Sequence, residues 1–190
     1  MNLTDFKFYV KSDLYRYYGK TDFISFIMNF LFNPGFKYTF WIRTCKYLRG
    51  NRLLMFNLYF MAKWMLSRCK YKYGIDISHG SNIGPGLYIA HFGQIFISYE
   101  TIIGKNCNLS QGVSIGVANR GKRKGHPILG DNVYVGPGAK IFGKIVVGNG
   151  VAIGANCVVT SDVPENGVVV GVPGKVISYS GSIDYVNNKV

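Results

Sequence analysis

Cysteine is scarce and unpatterned in this chain. Four occur among 190 residues, at positions 45, 69, 107 and 157, with no CxxC pair and no Cys/His ligand spacing. A structural zinc site is therefore not supported, and reduced thiols in the cytoplasm are the expected state. Acidic residues are few as well: nine Asp/Glu face 22 Lys/Arg, for a net charge of +13. The excess is uneven. Residues 1–72 hold 13 basic and three acidic residues, and residues 73–190 hold nine and six. The N-terminal part therefore carries the basic face that an anionic membrane, an anionic substrate or a nucleic acid would meet. No recognised nucleic-acid motif accompanies that charge, so a nucleic-acid partner is not expected. Long apolar runs are missing. The longest, Leu53 to Leu66, is broken by Asn57 and Lys63 and is too short to span a bilayer. Met1 is followed by polar and charged residues rather than an apolar segment, so no secretory signal is read. What is abundant is apolar residue content, 48%, which excludes wholesale disorder.

The period of the apolar residues is neither 2 nor 3.6. From Leu129 the chain reads in sixes: LGDNVY, VGPGAK, IFGKIV, VGNGVA, IGANCV, VTSDVP. Each block opens on an aliphatic residue, and small or branched residues fill the fifth place. The same register runs upstream through Ile77, Ile83 and Ile89, then Ile97, Ile103, Leu109 and Ile115. Units this short bury nothing alone, so they must stack into a solenoid of about 18 residues per coil. Leu129 is then expected beside Val147, and Val135 beside Ile153. Cys107 and Cys157 fall on the fifth place and read as small packed residues.

The register breaks twice. Between Ile89 and Ile97 the step is eight, and the two extra residues carry His91. Between Ile115 and Leu129 the step is fourteen; twelve would be regular, so a two-residue excess lets a basic loop around Asn119–Gly125 leave the wall, ending at His126. A flexible basic excursion from a rigid wall suits a loop covering a substrate, with Arg120 a candidate contact; a plain solvated loop is the alternative. A histidine displaced from the register is poor filler for a coil interior. Imidazole titrates near neutrality and can accept a proton from a hydroxyl. A carboxylate on its other nitrogen would steady the cation, and Asp76, fifteen residues upstream, is the candidate. A turn or cap role is the alternative for Asp76.

The repeat resembles that of the left-handed parallel β-helix acetyltransferases, over residues 73–177. The run GIDISHGSNIGPGLYIAHFGQIFI resembles serine acetyltransferases, as do the GHP loop and the closing GVPGKVI. The resemblance implies a mainly β fold, a left-handed parallel β-helix with a short helical N-terminal region. The coil handedness departs from the usual right-handed crossover. It implies His91 as general base, Asp76 as its dyad partner and His126 as a second active-site histidine. It also implies acetyl-CoA as co-substrate, no metal and a homotrimer, with His126 reaching the site from a different subunit than His91. By the same resemblance CoA lies along a groove between subunits, held mostly by backbone. Pro137, Gly138, Ala139 and Ala155 permit close approach there, and Lys140 and Lys175 offer point charges to phosphates.

The sequence departs from serine acetyltransferases at Ala90, where that family carries an Asp beside the catalytic His. An uncharged neighbour suits a sugar hydroxyl better than a zwitterionic amino acid. The expectation is therefore an O-acetyltransferase acting on a saccharide or lipid-linked glycan, close in type to capsular or exopolysaccharide acetyltransferases. Serine O-acetylation in cysteine biosynthesis is the alternative. Residues 1–72 read as a basic, aromatic helical region. Phe23, Phe26, Ile27, Phe30 and Leu31 recur at helical spacing up to Asn33-Pro34; Phe40, Ile42, Tyr47 and Leu48 follow, and then Leu54, Leu58, Met61 and Met65. They pack against the solenoid or a neighbouring subunit, or they meet a membrane, since Arg43, Lys46, Arg49, Arg52, Lys63, Arg68, Lys70 and Lys72 interleave with aromatics. The expected location is the cytoplasm, with the inner membrane face as the second reading. Residues 178–190 read as a polar tail. Two other classes remain: a metal-dependent hydratase, for which only His79, His91 and His126 are available as ligands, and a non-catalytic solenoid, which would show Thr ladders that this chain lacks.

Overall fold

The computed structural model describes residues 1–50 and 56–190. Leu54 and Arg52, assigned above to a helix and to a basic face, lie outside the described residues. Four helices precede the strands: α1 (Leu3–Tyr18), α2 (Phe23–Phe32), α3 (Pro34–Gly50) and α4 (Phe56–Tyr73). Asn2 caps α1, its side chain accepting from the Asp5 N–H while the Asp5 carboxylate accepts from the Asn2 N–H. Asp22 caps α2 through the Ser25 N–H. Asn33-Pro34 ends α2 and opens α3, as the spacing predicts, because Pro tolerates a first helical turn and resists a helix interior.

The strands form five stacked coils. The first holds β1 (Ile75–Ile77), β2 (Asn82–Ile83) and β3 (Tyr88–Ile89); the second β4 (Ile95–Ile97), β5 (Ile102–Ile103) and β6 (Asn108–Leu109). The third holds β7 (Ser114–Gly116), β8 (Ile128–Leu129) and β9 (Tyr134–Val135); the fourth β10 (Lys140–Phe142), β11 (Val146–Val147) and β12 (Ala152–Ile153). The fifth holds β13 (Val158–Val159), a bridge from Val163 to Val147, and β14 (Val168–Val170). β15 (Lys175–Ser178) returns antiparallel to β14. The other pairings between these strands are parallel, on three faces: β1-β4-β7-β10-β13, β2-β5-β8-β11 and β3-β6-β9-β12-β14. We call these the first, second and third faces. The structure is thus a parallel β-helix with a helical N-terminal region.

The sixfold register is the core. Ile77, Ile97, Ile115, Ile141 and Val159 stack inside the first face, and all are buried. Leu129 pairs with Val147 and Val135 with Ile153, as expected. Each such aliphatic side chain contributes about 1.5–3 kcal/mol by leaving water. Cys107 and Cys157 are buried beside them.

One part of the register reading is corrected. The fourteen-residue step from Ile115 to Leu129 is a single wall step, because β7 is followed directly by β8. The excess is eight residues rather than two, and it folds into a small hairpin bridged at Ala118 and Gly125.

The helices cap the open end of the first coil. Tyr38 Oη donates to the Ile77 carbonyl and accepts from the Ile77 N–H. Gly35 rests on Ile89; a Cβ there would strike the Ile89 carbonyl oxygen. Arg43 corrects the reading of the basic residues: it is no interfacial cation but 1% exposed, paired to Asp13 at 2.9 Å. It also donates to the Ile83 and Gly84 carbonyls, while Asp13 accepts from the Leu87 N–H. Arg16 is buried too, donating to the Gly86 carbonyl, Asn108 Oδ1 and the Asn187 carbonyl. The segment read as a polar tail is therefore packed. Ser182 and Val186 are buried, Tyr185 stacks on Tyr134, and Asn108 donates to the Tyr185 carbonyl.

Candidate active site

His91 stands where the chain turns from the third face to the first, between β3 and β4. The two extra residues push it off the wall, and the ring is exposed. The bulge is fixed by its backbone: Gly93 takes φ 111° and Gln94 φ 55°, the left-handed region that glycine accepts readily. The Gly93 carbonyl accepts from the Gly112 N–H at 2.8 Å, and the Ile95 N–H donates to the Gly74 carbonyl. Phe92 packs on Tyr73 at 5.5 Å. Ala90 is exposed at the foot of the bulge.

The corner that carries His91 continues down the prism. The Gly138 N–H donates to the Gln111 carbonyl, and the Asn156 N–H to the Pro137 carbonyl. Pro137, Gly138 and Ala155 therefore stack below His91, one coil apart at each level. At about 4.8 Å per coil, three coils give an edge of roughly 15 Å. Gly138 has φ 72°, and a Cβ there would strike Asn156 Oδ1. Ala155 and Lys175 are exposed. Two candidates along this edge are corrected. Ala139 is fully buried and points into the coil, with its N–H given to the Gly136 carbonyl and its own carbonyl accepting from the Ser114 N–H. Lys140 turns back on the wall, where Nζ donates to the Gly112 carbonyl and to Ser114 Oγ.

His126 sits at the next corner, between the first and second faces. Its Nδ1 lies 3.1 Å from Ser98 Oγ and its Nε2 3.2 Å from a carboxylate oxygen of Glu100. Sequence reasoning missed Ser98 and Glu100. Ser98 directly follows the wall residue Ile97, in register, so no irregularity marked it. In the loop, Arg123 pairs with Asp162 at 3.1 Å, while Arg120 is exposed. One chain therefore does not bring His91 and His126 together: a whole face separates their corners.

Asp76 is the middle residue of β1, on the first face. Its carboxylate lies 2.8 Å from Lys70 Nζ, and no hydrogen bond joins it to His91. Both members of the pair are about half exposed, which limits the pair to about 0–1 kcal/mol. Among the described residues no group of three His, Cys, Asp or Glu side chains could hold a metal. Burial pushes the Cys45 and Cys107 thiols up to about 12, so neither is a nucleophile at neutral pH.

The family model for the bacterial transferase hexapeptide (six repeats) matches residues 126–161. A serine acetyltransferase of Helicobacter pylori is 42% identical over 122 residues, 64% of this chain and 71% of that protein. The chain belongs to the serine acetyltransferase family. A second family member, from Synechococcus elongatus, is 44% identical over 108 residues, which cover 57% of this chain and 44% of that protein. The chain thus spans less than half the length of that relative. The serine acetyltransferase of Neisseria gonorrhoeae, solved in complex with serine, has a TM-score of 0.74 and 29% identity over 93% of this chain and 70% of its own. That of Brucella abortus, solved in complex with coenzyme A, has a TM-score of 0.78 and 26% identity over 94% and 70%.

These relatives overturn the saccharide acceptor, and with it the capsular and polysaccharide resemblance, that Ala90 suggested. The step from Ala90 to a sugar treated one missing carboxylate as decisive. The relatives match this chain across most of the β-helix and are serine acetyltransferases. The physical weakness of the inference is visible in the site: Glu100 offers another exposed carboxylate, at the corner that carries His126. The enzyme class expected from the sequence, an acetyltransferase, agrees with the family.

Proposed function

We propose that this chain is a serine O-acetyltransferase that uses acetyl-CoA as donor. The observation that carries the reading is His91, held off the wall at the head of a smooth corner, in a chain of this family. The corner suits an extended thioester donor. Small residues at Pro137, Gly138 and Ala155 let a chain lie against the backbone, and Lys175 is exposed near its lower end. Only the backbone of this edge is needed, so the loss of Ala139 and Lys140 as contacts leaves it intact.

His91 takes the proton of the serine hydroxyl as that oxygen attacks the thioester carbonyl. A C–O bond forms, the C–S bond breaks, and His91 returns the proton to the departing sulfur. Asp76 supports the imidazolium once its carboxylate leaves Lys70, an exchange that an exposed pair permits. His126, Ser98, Glu100 and Arg120 belong to the same site in a homotrimer, where this corner of a neighbouring subunit faces the His91 corner. Glu100 meets the ammonium of serine in place of the carboxylate that Ala90 lacks, and Arg120 meets its carboxylate. The reaction takes place in the cytoplasm.

The test is release of the CoA thiol from acetyl-CoA in the presence of serine. Serine-dependent release, abolished by His91→Ala, is expected; a folded wild-type protein inert toward serine overturns the reading. Subunit mixing tests the composite site. His91→Ala and His126→Ala chains, each inactive alone, should recover roughly a quarter of wild-type activity when co-assembled, because some interfaces then hold both histidines. No recovery would show that the site does not combine His91 of one subunit with His126 of another.

A further inference from the structure

The outer side of the helical cap carries an apolar surface that no described residue covers. α2 has the sequence FISFIMNFLF, without one charged residue, and its only buried side chain is Asn29. Phe23 and Phe32 are 77% and 73% exposed, with Ile24, Met28 and Leu31 exposed between them. A helix with no charged residue on any side belongs in a core or a bilayer, and among the described residues this one packs mainly against α1 and α3. α4 adds a second outward row: Phe60, Trp64 and Tyr71 are exposed one or two turns apart. Lys37 of α3 (Pro34–Gly50) stands between the two helices. Lys37 donates to the Leu31 carbonyl at the end of α2 and lines a cavity with Met65, Arg68 and Tyr71 of α4.

The charge around this surface identifies its partner. Between Asp22 and Asp76 the chain has nine Lys/Arg and no Asp/Glu. The two bounding carboxylates are engaged, Asp22 with Ser25 and Asp76 with Lys70. Arg68 lies 5.1 Å over the exposed Trp64 ring, so a cation and an aromatic share that part of the surface. A second copy of a surface this basic would be repelled by the first. A neutral apolar partner would leave the cations without use. A surface with phosphates at its face and hydrocarbon just beneath satisfies both features. No described helix is long and apolar enough to cross a membrane, so α2 and α4 would lie in its plane.

We propose that α2 and α4 dock this protein on an anionic phospholipid surface. The apolar side chains enter the acyl boundary, while Lys37, Lys63, Arg68 and Lys72 meet lipid phosphates. The arrangement is independent of which acceptor the active site takes.

The experiment is sedimentation of the full chain with vesicles. Binding to vesicles of equal parts phosphatidylcholine and phosphatidylglycerol should exceed binding to phosphatidylcholine alone by about tenfold or more, and should fall as salt rises. Trp64 is a built-in reporter: its emission should shift to the blue on binding, and Trp64→Phe should remove that shift. Lys63→Glu with Arg68→Glu should lower binding by about tenfold or more. Ile24→Ser with Phe32→Ser should abolish it while melting temperature and serine turnover stay unchanged, because both side chains are exposed. Equal partition of wild type to neither vesicle overturns the proposal. So does a fall in oligomeric size on Ile24→Ser with Phe32→Ser, which would make another copy the cover.

Discussion

The β-helix and its helical cap hold together by opposite means. In the β-helix one aliphatic residue in six does the same work at every level, and the walls need no specific polar contact. The cap is joined to the first coil by a few particular groups: Arg43 with Asp13, Arg16 with Gly86 and Asn108, Tyr38 with Ile77. A repeated apolar contact is redundant, and one lost member leaves its neighbours in place. A buried ion pair is not, because each partner depends on the other for its compensation. The proposed base, His91, sits where the wall is interrupted, while Asp76, Ser98 and Glu100 keep its register.

The sharpest break in this comparison is between a bulge residue and a wall residue. His91→Ala should lower turnover by about 10²–10⁴-fold and leave the melting temperature unchanged, since the ring is exposed. Steady-state assay and thermal melting of one sample decide it; a parallel loss of stability would make His91 structural. Next is the cap. Arg43→Met alone should destabilise by about 3–5 kcal/mol, because Asp13 is left buried and unpaired. Adding Asp13→Leu should return much of that loss in urea unfolding. A double variant no better than the single one would show that packing, not charge, joins cap to coil. Ile115→Ala should cost about 2–5 kcal/mol, with serine turnover per folded molecule preserved. Smaller still, Lys70→Met should change stability by under about 1 kcal/mol, since its pair with Asp76 is half exposed. If Asp76 partners His91, the same variant should raise rather than lower activity. Last, the buried thiols should be silent. At neutral pH a disulfide reagent should titrate none of the four cysteines in the folded protein and all four in denaturant.

Legibility followed the same division. Ile77 through Val159 could be read as wall positions because one period explained them all, and each is buried. His91 stood out because it was out of step. Within the helical region read for residues 1–72, no apolar spacing marked α1, because its inward side includes Ser12, Asp13 and Arg16, which hide the helical period. The excess of eight residues before Leu129 was read as two, because a wall step and a loop of similar length cannot be told apart by counting. Ser98 and Glu100 were in register and became visible only by their distance to His126. The acceptor was misread for a different reason. A single alanine states what is missing at one position and says nothing of what stands across a corner.

The return of the segment after β15 has a consequence for how the molecule is made. Arg16, near the start of the chain, finds one of its acceptors in the Asn187 carbonyl, and another, Asn108, is itself held by the Tyr185 carbonyl. A ribosome delivers α1 before residues 182–190. The nascent cap must therefore wait, with its guanidinium only partly satisfied, while every coil is laid down. The closing latch of this protein is set only after the whole prism has been synthesised.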